Sequence, residues 1–440
     1  MKDSLYLKGQ KKKCLIDKIL HSKNLTKAYY KVLRNRGSSG VDGMEVEELK
    51  SYIDSHRDFI RQEILNNNYH PHSIRGVEIP KGNGKKRLLG IPTVIDRWLQ
   101  QAVSQQLMTR FEINFSNYSY GFRPKKNLQQ AVQQSLRYIN DGNQDIVDID
   151  LRGFFDEVSH VKILQLVYDK VECAITLRLI RKWLRAPILK RGRLYRRRKG
   201  VPQGSPLSPL LSNILLDELD KELERRGLKF VRYVDDFSIY ASSKSSAREI
   251  GNAIYLFLRD KLELSINRTK SGRRRPLNFK LLGYGFASIY KKGSRGQYQL
   301  VVKQSSWDAL KRKLKRITKK TLAYKLEDRL RQLQLVWRGW IHNYRIANIY
   351  SKLKQLDEWL RNRIRYCVWH DWKKPERKRK NFIQLGIEQG QAYAWSRTRM
   401  GGWAVAQSPM LKTTITSSRL KRRGYKTMLD YYFKFKISIQ

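Results

Sequence analysis

The sequence predicts an α+β fold whose mixed centre is followed by a purely helical region, and two observations carry that expectation. The first is a pair of β-forming runs flanking adjacent acids in Lys229-Phe-Val-Arg-Tyr-Val-Asp-Asp-Phe-Ser-Ile-Tyr-Ala241, which predicts a hairpin with carboxylates at its tip. The second is a set of three apolar stripes at helical spacing beyond about residue 303. They are Trp307, Leu310, Leu314 and Ile317; Leu326, Leu330, Leu333, Trp337, Trp340 and Tyr344; and Leu353, Leu356, Leu360 and Ile364. Three such helices bury their stripes against one another as a small bundle and leave basic faces outside.

The remaining elements follow in chain order. Residues 1–70 read as mainly helical, broken by Arg34-Asn-Arg-Gly-Ser-Ser-Gly-Val-Asp-Gly43, too flexible for a helix interior. Residues 71–145 open with Val77-Glu-Ile-Pro-Lys-Gly-Asn-Gly-Lys-Lys-Arg-Leu-Leu-Gly-Ile-Pro92, two short strands around a Gly-Asn-Gly turn. Helices are expected over Ile95 to Phe111 and Leu128 to Ile139. Residues 146–300 form the α+β centre and 301–370 the helical bundle. Residues 371–440 begin with Trp372-Lys-Lys-Pro-Glu-Arg-Lys-Arg-Lys380 and contain Lys421-Arg-Arg423, interleaved with Trp395, Trp403, Tyr425, Tyr431 and Tyr432. That mixture predicts a folded module that binds a polyanion rather than a solvated tail.

Length and charge narrow the function. A chain of 440 residues has about two to four domains as its prior. Its 91 Lys and Arg against 39 Asp and Glu give a formal charge of +52. Such self-repulsion is costly unless a polyanion neutralises it, and nucleic acid is the natural partner. Cys14, Cys173 and Cys367 are far apart and form no Cys-x-x-Cys pair, so free buried thiols in a reducing compartment are expected. No apolar h-region opens the chain and no apolar run is long enough to span a bilayer, which together predict a soluble intracellular protein without a membrane partner.

The chemistry is carried by acids. Adjacent like charges are best tolerated beside a cation. A second cluster lies upstream in Ile146-Val-Asp-Ile-Asp-Leu-Arg-Gly-Phe-Phe-Asp156. If the clusters meet on neighbouring strands, they can hold two metal ions roughly 3.5–4 Å apart. Oxygen ligands and phosphate chemistry favour magnesium. Between the clusters lies Gly200-Val-Pro-Gln-Gly-Ser-Pro-Leu-Ser-Pro-Leu-Leu-Ser-Asn213, a turn-rich loop entering an apolar helix; after them come Leu262-Glu-Leu-Ser-Ile-Asn-Arg-Thr-Lys270 and Phe279-Lys-Leu-Leu-Gly-Tyr-Gly-Phe286.

In this order and spacing the segments resemble the successive motifs of reverse transcriptases. With Gly40-Val-Asp-Gly43, Leu89-Gly-Ile-Pro-Thr-Val-Ile-Asp-Arg97, Tyr120-Gly-Phe-Arg-Pro124 and Trp337-Arg-Gly-Trp-Ile-His-Asn-Tyr344, the chain resembles bacterial group II intron-encoded reverse transcriptases, or maturases, of the compact IIC-like type. The family's optional His-Asn-His endonuclease is not expected. Two departures stand out: Val234 where the family mostly has alanine, and Ser205 where many members have a second glycine. The resemblance implies a right-hand polymerase with an N-terminal extension (1–70), fingers (71–145), palm (146–300), thumb or domain X (301–370) and DNA-binding domain (371–440). It implies a cytoplasmic ribonucleoprotein that copies RNA template from a DNA primer, binds group II intron RNA and engages target DNA.

Residue by residue, the resemblance implies Asp150, Asp235 and Asp236 as metal-binding catalytic acids, with the carbonyl of Leu151 as a further ligand. Polymerase palms place the residue beneath the sugar five positions after the first acid. From Asp150 that is Phe155, a gate against the 2′-hydroxyl of ribonucleotides; from Asp148 it would be Gly153, so Asp148 is assigned a structural role. Lys81 and Arg87 resemble the clamp on the dNTP triphosphate, with Lys85 and Lys86 as rivals. Gln203 and Gly204 resemble the loop beside the incoming nucleotide, and Lys270 the lysine near the leaving pyrophosphate or else a surface lysine. Two other readings remain at this point: a maturase that only binds RNA, and a domesticated enzyme of host defence or DNA repair.

Overall fold

Local chemistry accounts for most elements. The computed structural model describes residues 14–80, 84, 86–290, 294 and 296–437, and it divides into two compact units, residues 1–275 and 276–440. In the first unit the strands are β1 (Ile74–Pro80), β2 (Lys86–Ile91), β3 (Asp145–Asp150), β4 (Ile188–Lys190), β5 (Arg193–Tyr195), β6 (Lys229–Tyr233), β7 (Asp236–Ala241) and β8 (Gly272–Arg274). They make two four-stranded sheets, ordered β2-β1-β4-β5 and β6-β7-β3-β8.

Helices cover these sheets. Val94–Phe111 starts on Thr93, whose hydroxyl accepts from the Asp96 amide at 3.3 Å. Leu128–Asn140 begins with an Asn127/Gln130 capping box, two donors satisfied reciprocally. Ser208–Arg225 carries Leu211, Ile214, Leu215 and Leu219 inward, where they join Trp98, Leu99, Phe154 and Phe237 in one core.

The second unit opens with β9 (Lys280–Leu281), β10 (Tyr284–Ser288) and β11 (Tyr298–Val302), in the order β11-β10-β9. The helices Gln304–Ile317, Leu326–Tyr344 and Tyr350–Asp371 follow, and their predicted stripes are largely buried, Trp337 to 1% exposure. Shorter helices run from Pro375–Gln384 to Met428–Ile437. The Asp357 carboxylate ties the last of them down, accepting from Tyr425 Oη (2.9 Å) and the amides of Met428 and Leu429 (3.1 Å each). Phe382, fully buried, packs within 5.3–6.0 Å of the rings of Trp369, Trp372 and Trp395, so these aromatics build a core.

The cysteine expectation is corrected in part. Cys367 is free and buried, but Cys14 and Cys173 are joined as a disulfide across a Cα separation of 6.2 Å. Each stands immediately before a helix, Leu15–Ile19 and Ala174–Arg185, and their packing brings together residues 159 positions apart. Spacing rules for local pairs have no access to such a contact.

Candidate active site

β6 and β7 pair from Lys229↔Tyr240 to Tyr233↔Asp236, which leaves Val234 and Asp235 as a two-residue hairpin loop. Val234 takes φ 62°, as the first position of such a tight loop requires. A β-branched residue there is strained by about 1–3 kcal/mol, so surrounding contacts must hold it. They do. Gly121 packs against the loop so closely that a Cβ would lie 2.6 Å from the Val234 amide nitrogen. Beneath it, the fully buried Arg232 guanidinium donates to Asp220 (2.7 and 2.5 Å), Asn213 Oδ1 (3.0 Å) and the Val234 carbonyl (3.1 Å). None of these supports was identified from sequence.

β3 lies antiparallel to β7, with Asp150 opposite Asp236. The two predicted acid clusters therefore meet on adjacent strands, with Asp235 on the neighbouring loop. Asp148 shares the strand face of Asp150 but is engaged by Arg274 Nε at 2.9 Å. Lys270 Nζ reaches Asp150 Oδ2 at 2.8 Å, so it serves as the resident counter-ion of the cluster. That contact holds the lysine's pKa above its ordinary value. Asp236 remains exposed at the strand end, yet partial withdrawal from solvent and repulsion by Asp235, Asp150 and Asp148 push its carboxyl up to about 6. Leu151 is held by bonds on either side: the Asn267 amide donates to the Asp150 carbonyl and the Arg152 amide to the Ser265 carbonyl, each 2.7 Å. In such an antiparallel bridge the carbonyl of Leu151 itself points away from its partner strand.

As placed, no group of three or more His, Cys, Asp or Glu side chains among the described residues converges tightly enough to hold a metal ion. The donor set nevertheless fits one. It consists of oxygen ligands, it is crowded with like charge, and a single lysine opposes that charge at Asp150.

Four further predicted residues line one pocket of about 440 Å³: Arg87, Phe155, Gln203 and Gly204. Arg87 Nε donates to Gln203 Oε1, and the Gln203 carbonyl accepts from the Gly90 amide at 2.8 Å. Gly204, at φ 121°, passes so close to β2 that a Cβ would stand 2.5 Å from the Gly90 carbonyl. Of the adjacent phenylalanines, Phe154 is buried in the core and Phe155 faces the pocket. The loop leading into Gln203 is fixed by hydrogen bonds from the Val201 amide to the Phe155 carbonyl and from the Gly200 amide to the Val158 carbonyl, each 2.7 Å. Ser205, at a departure from the family pattern, is anchored on Gln100 Oε1 at 2.6 Å.

Lys81 and Lys85 lie outside the described residues. Lys86 pairs with Glu78 at 3.4 Å, and strand alternation puts both on the face opposite Arg87. Lys190 first, with Lys86 and Arg191, holds the Glu78 carboxyl down to about 2. Phe122, a further lining residue of the pocket, was quoted within a motif but given no role.

Comparison with known proteins gives matches to two families. Residues 79–286 match the reverse transcriptase (RNA-dependent DNA polymerase) family, and residues 307–385 the group II intron, maturase-specific domain. The chain is 35% identical to Protein YkfC of Escherichia coli over 43% of this chain and 51% of that one. It is 36% identical to the group II intron-encoded protein LtrA of Lactococcus lactis over 47% of this chain and 34% of the other. The chain thus spans about half of one of these relatives and about a third of the other. Among solved structures it is similar to a chain of a partial Cas6-RT-Cas1–Cas2 complex, at 23% identity and a TM-score of 0.37, over 57% of this chain and 43% of that one. The chain thus carries a reverse transcriptase domain followed by a group II intron maturase-specific domain.

Proposed function

We propose that this chain is an RNA-directed DNA polymerase that also binds group II intron RNA as a maturase. The observation that carries the reading is Asp150 opposite Asp236 on adjacent strands, with Asp235 on the loop between β6 and β7. Asp150, Asp235, Asp236 and the Leu151 carbonyl would hold two magnesium ions. When bound, such ions lower the pKa of a primer 3′-hydroxyl and stabilise a leaving pyrophosphate.

The chain's own residues do the rest. Arg87 offers a planar fork to a triphosphate, oriented by its bond to Gln203. Phe155 fills the space that a ribose 2′-hydroxyl would need, selecting dNTPs. Gly204 lets the loop lie close against β2 and keeps the pocket open. Lys270, once displaced from Asp150, is within reach of phosphate charge.

The surface charge suits several polyanions: RNA template, DNA primer, intron RNA on the 1–70 and 301–370 segments, and target DNA on residues 371–440. In that last segment Arg397 lies 4.0 Å from the centre of the Tyr393 ring, and Lys378 lies 4.0 Å from that of Trp369. Splicing chemistry would belong to the RNA. Among the described residues no helix is long and apolar enough to cross a membrane.

Primer extension on an RNA template with magnesium and dNTPs tests the reading. The protein should extend the primer, and Asp150→Asn and Asp235→Asn should each abolish extension while RNA affinity stays nearly intact. Extension at the wild-type rate by either variant would overturn the assignment.

A further inference from the structure

Phe122 combines three features. The residue is 54% exposed. Its backbone takes φ 56°, a left-handed conformation that costs a bulky residue free energy. And among the described residues it alone lines both the nucleotide pocket and a second cavity, a groove of about 670 Å³.

The neighbours enforce the conformation. On one side the Gly121 carbonyl accepts from Asn213 Nδ2 at 2.9 Å, and Gly121 is pressed against Val234. On the other, the buried Arg123 guanidinium donates to both Glu112 carboxylate oxygens (3.1 Å each from Nε) and to the Ser119 carbonyl (2.9 Å). The chain is clamped before and after residue 122, and the ring is held out between two cavities.

What lies on each side defines what the ring can do. The pocket contains Phe155, Arg87 and Gln203. The groove is lined by Lys27 and Lys31 and the polar Gln105 and Thr109, together with the apolar Met108 and Ile113 and the Arg123-paired Glu112. Lysines beside polar side chains suit the backbone of a single strand, and an exposed ring at the point where that strand enters the pocket suits a nucleobase face. We propose that Phe122 is a stacking platform for the template base, set where an unpaired RNA strand leaves the groove and turns into the nucleotide pocket. The proposal rests on the polymerase reading and adds the route and the contact of the template strand.

Single-nucleotide incorporation by the full chain, with Phe122→Ala, Phe122→Leu and Phe122→Trp, tests it. Stacking of one base is worth enough for roughly a tenfold rise in the KM for dNTP on losing the ring, with kcat little changed. Leucine fills most of the volume but offers no π face, so it should behave as alanine does, whereas tryptophan should stay within about twofold of wild type. At an abasic templating position wild type and Phe122→Leu should converge. A KM for Phe122→Leu within twofold of wild type on a normal template, or a deficit that persists at the abasic position, would overturn the platform and assign the ring to packing. If Phe122→Ala fails to fold by circular dichroism, the leucine and tryptophan variants decide alone. A fluorescent 2-aminopurine at the first unpaired template position gives a reading without catalysis: quenched in wild type, bright in Phe122→Leu. Equal quenching in the two would sink the proposal. A wild type that extends no primer would sink the polymerase reading and leave the fluorescence result to judge the platform.

Discussion

Replacing Arg232 by leucine removes one half of the ion pair beneath the acidic hairpin. Arg232 and Asp220 are both 0% exposed, so solvent screens neither. Burial pushes the Asp220 carboxyl upward, and Arg232 is the main influence holding it down. The paired fork geometry, at 2.7 and 2.5 Å, favours the ionised pair. Removing one partner of such a pair strands the other charge and costs about 3–5 kcal/mol. For a unit of this size, each kcal/mol lowers the midpoint by about 2–4 °C, so a fall of roughly 10 °C is expected in the corresponding thermal transition. The double variant Arg232→Leu/Asp220→Leu removes both charges of the pair and should regain most of the loss, about 3 kcal/mol. Calorimetry of the full chain for the two single variants and the double completes the cycle. Primer extension should stay impaired even in the double variant, because the Val234 carbonyl has lost its Arg232 donor and the loop carrying Asp235 is strained without it. A fall under about 3 °C for Arg232→Leu, or strictly additive losses in the double, would refute the reasoning.

Three further outcomes follow from the same geometry. Phe155→Ala should admit ribonucleotides, measured as the ratio of rNTP to dNTP incorporation; unchanged discrimination would place the gate elsewhere. Magnesium should raise the melting temperature more at about pH 7.5 than at about pH 5. Asp236 is raised to about 6, so its contribution to stability is full below its unfolded value near 4 and is lost as pH rises through 6, which is where a cation restores it; equal shifts at the two pH values would contradict this. RNA affinity should fall with salt by about 0.7–0.9 log units per log unit for each phosphate contacted, and a slope worth one or two contacts would contradict an extended basic surface.

Features set by local periodicity were legible in the chain itself. The hairpin at 229–241, the strands either side of Gly-Asn-Gly, and the helices over Trp307, Leu330 and Leu353 each follow from spacing within a few residues. The acid clusters were legible as paired carboxylates, whereas Arg87, Gln203 and Gly204 were named only through the resemblance to reverse transcriptase motifs. What escaped depends on distant partners. The Cys14–Cys173 bond spans 159 residues, and Lys270 reaches Asp150 across 120. Arg232 was hidden for a second reason. Phe230, Val231 and Arg232 are buried in succession, so no alternation marks the guanidinium as inward-facing. Phe122 was hidden because strained exposure is a property of its clamps, Arg123 and Gly121, and not of the motif letters.

The acids of the first unit show why a residue type alone could not separate support from site. Asp96 is as acidic in sequence as Asp236, and burial drives both carboxyls upward. Around Asp96 the fold supplies donors: Tyr69 Oη at 2.8 Å, the His72 amide at 3.1 Å, Thr93 Oγ1 at 2.8 Å and Trp183 Nε1 at 2.7 Å. That carboxylate is saturated and has nothing left to offer a ligand. Around Asp236 the fold supplies three more carboxylates and one lysine that sits on a neighbour. Its charge is left to be neutralised by something that arrives from solvent. A structural acid is one whose environment has already answered its charge, and a site acid is one whose environment raises that charge without answering it. The difference resides in which groups face the carboxylate, and it became visible only when β3 was laid against β7.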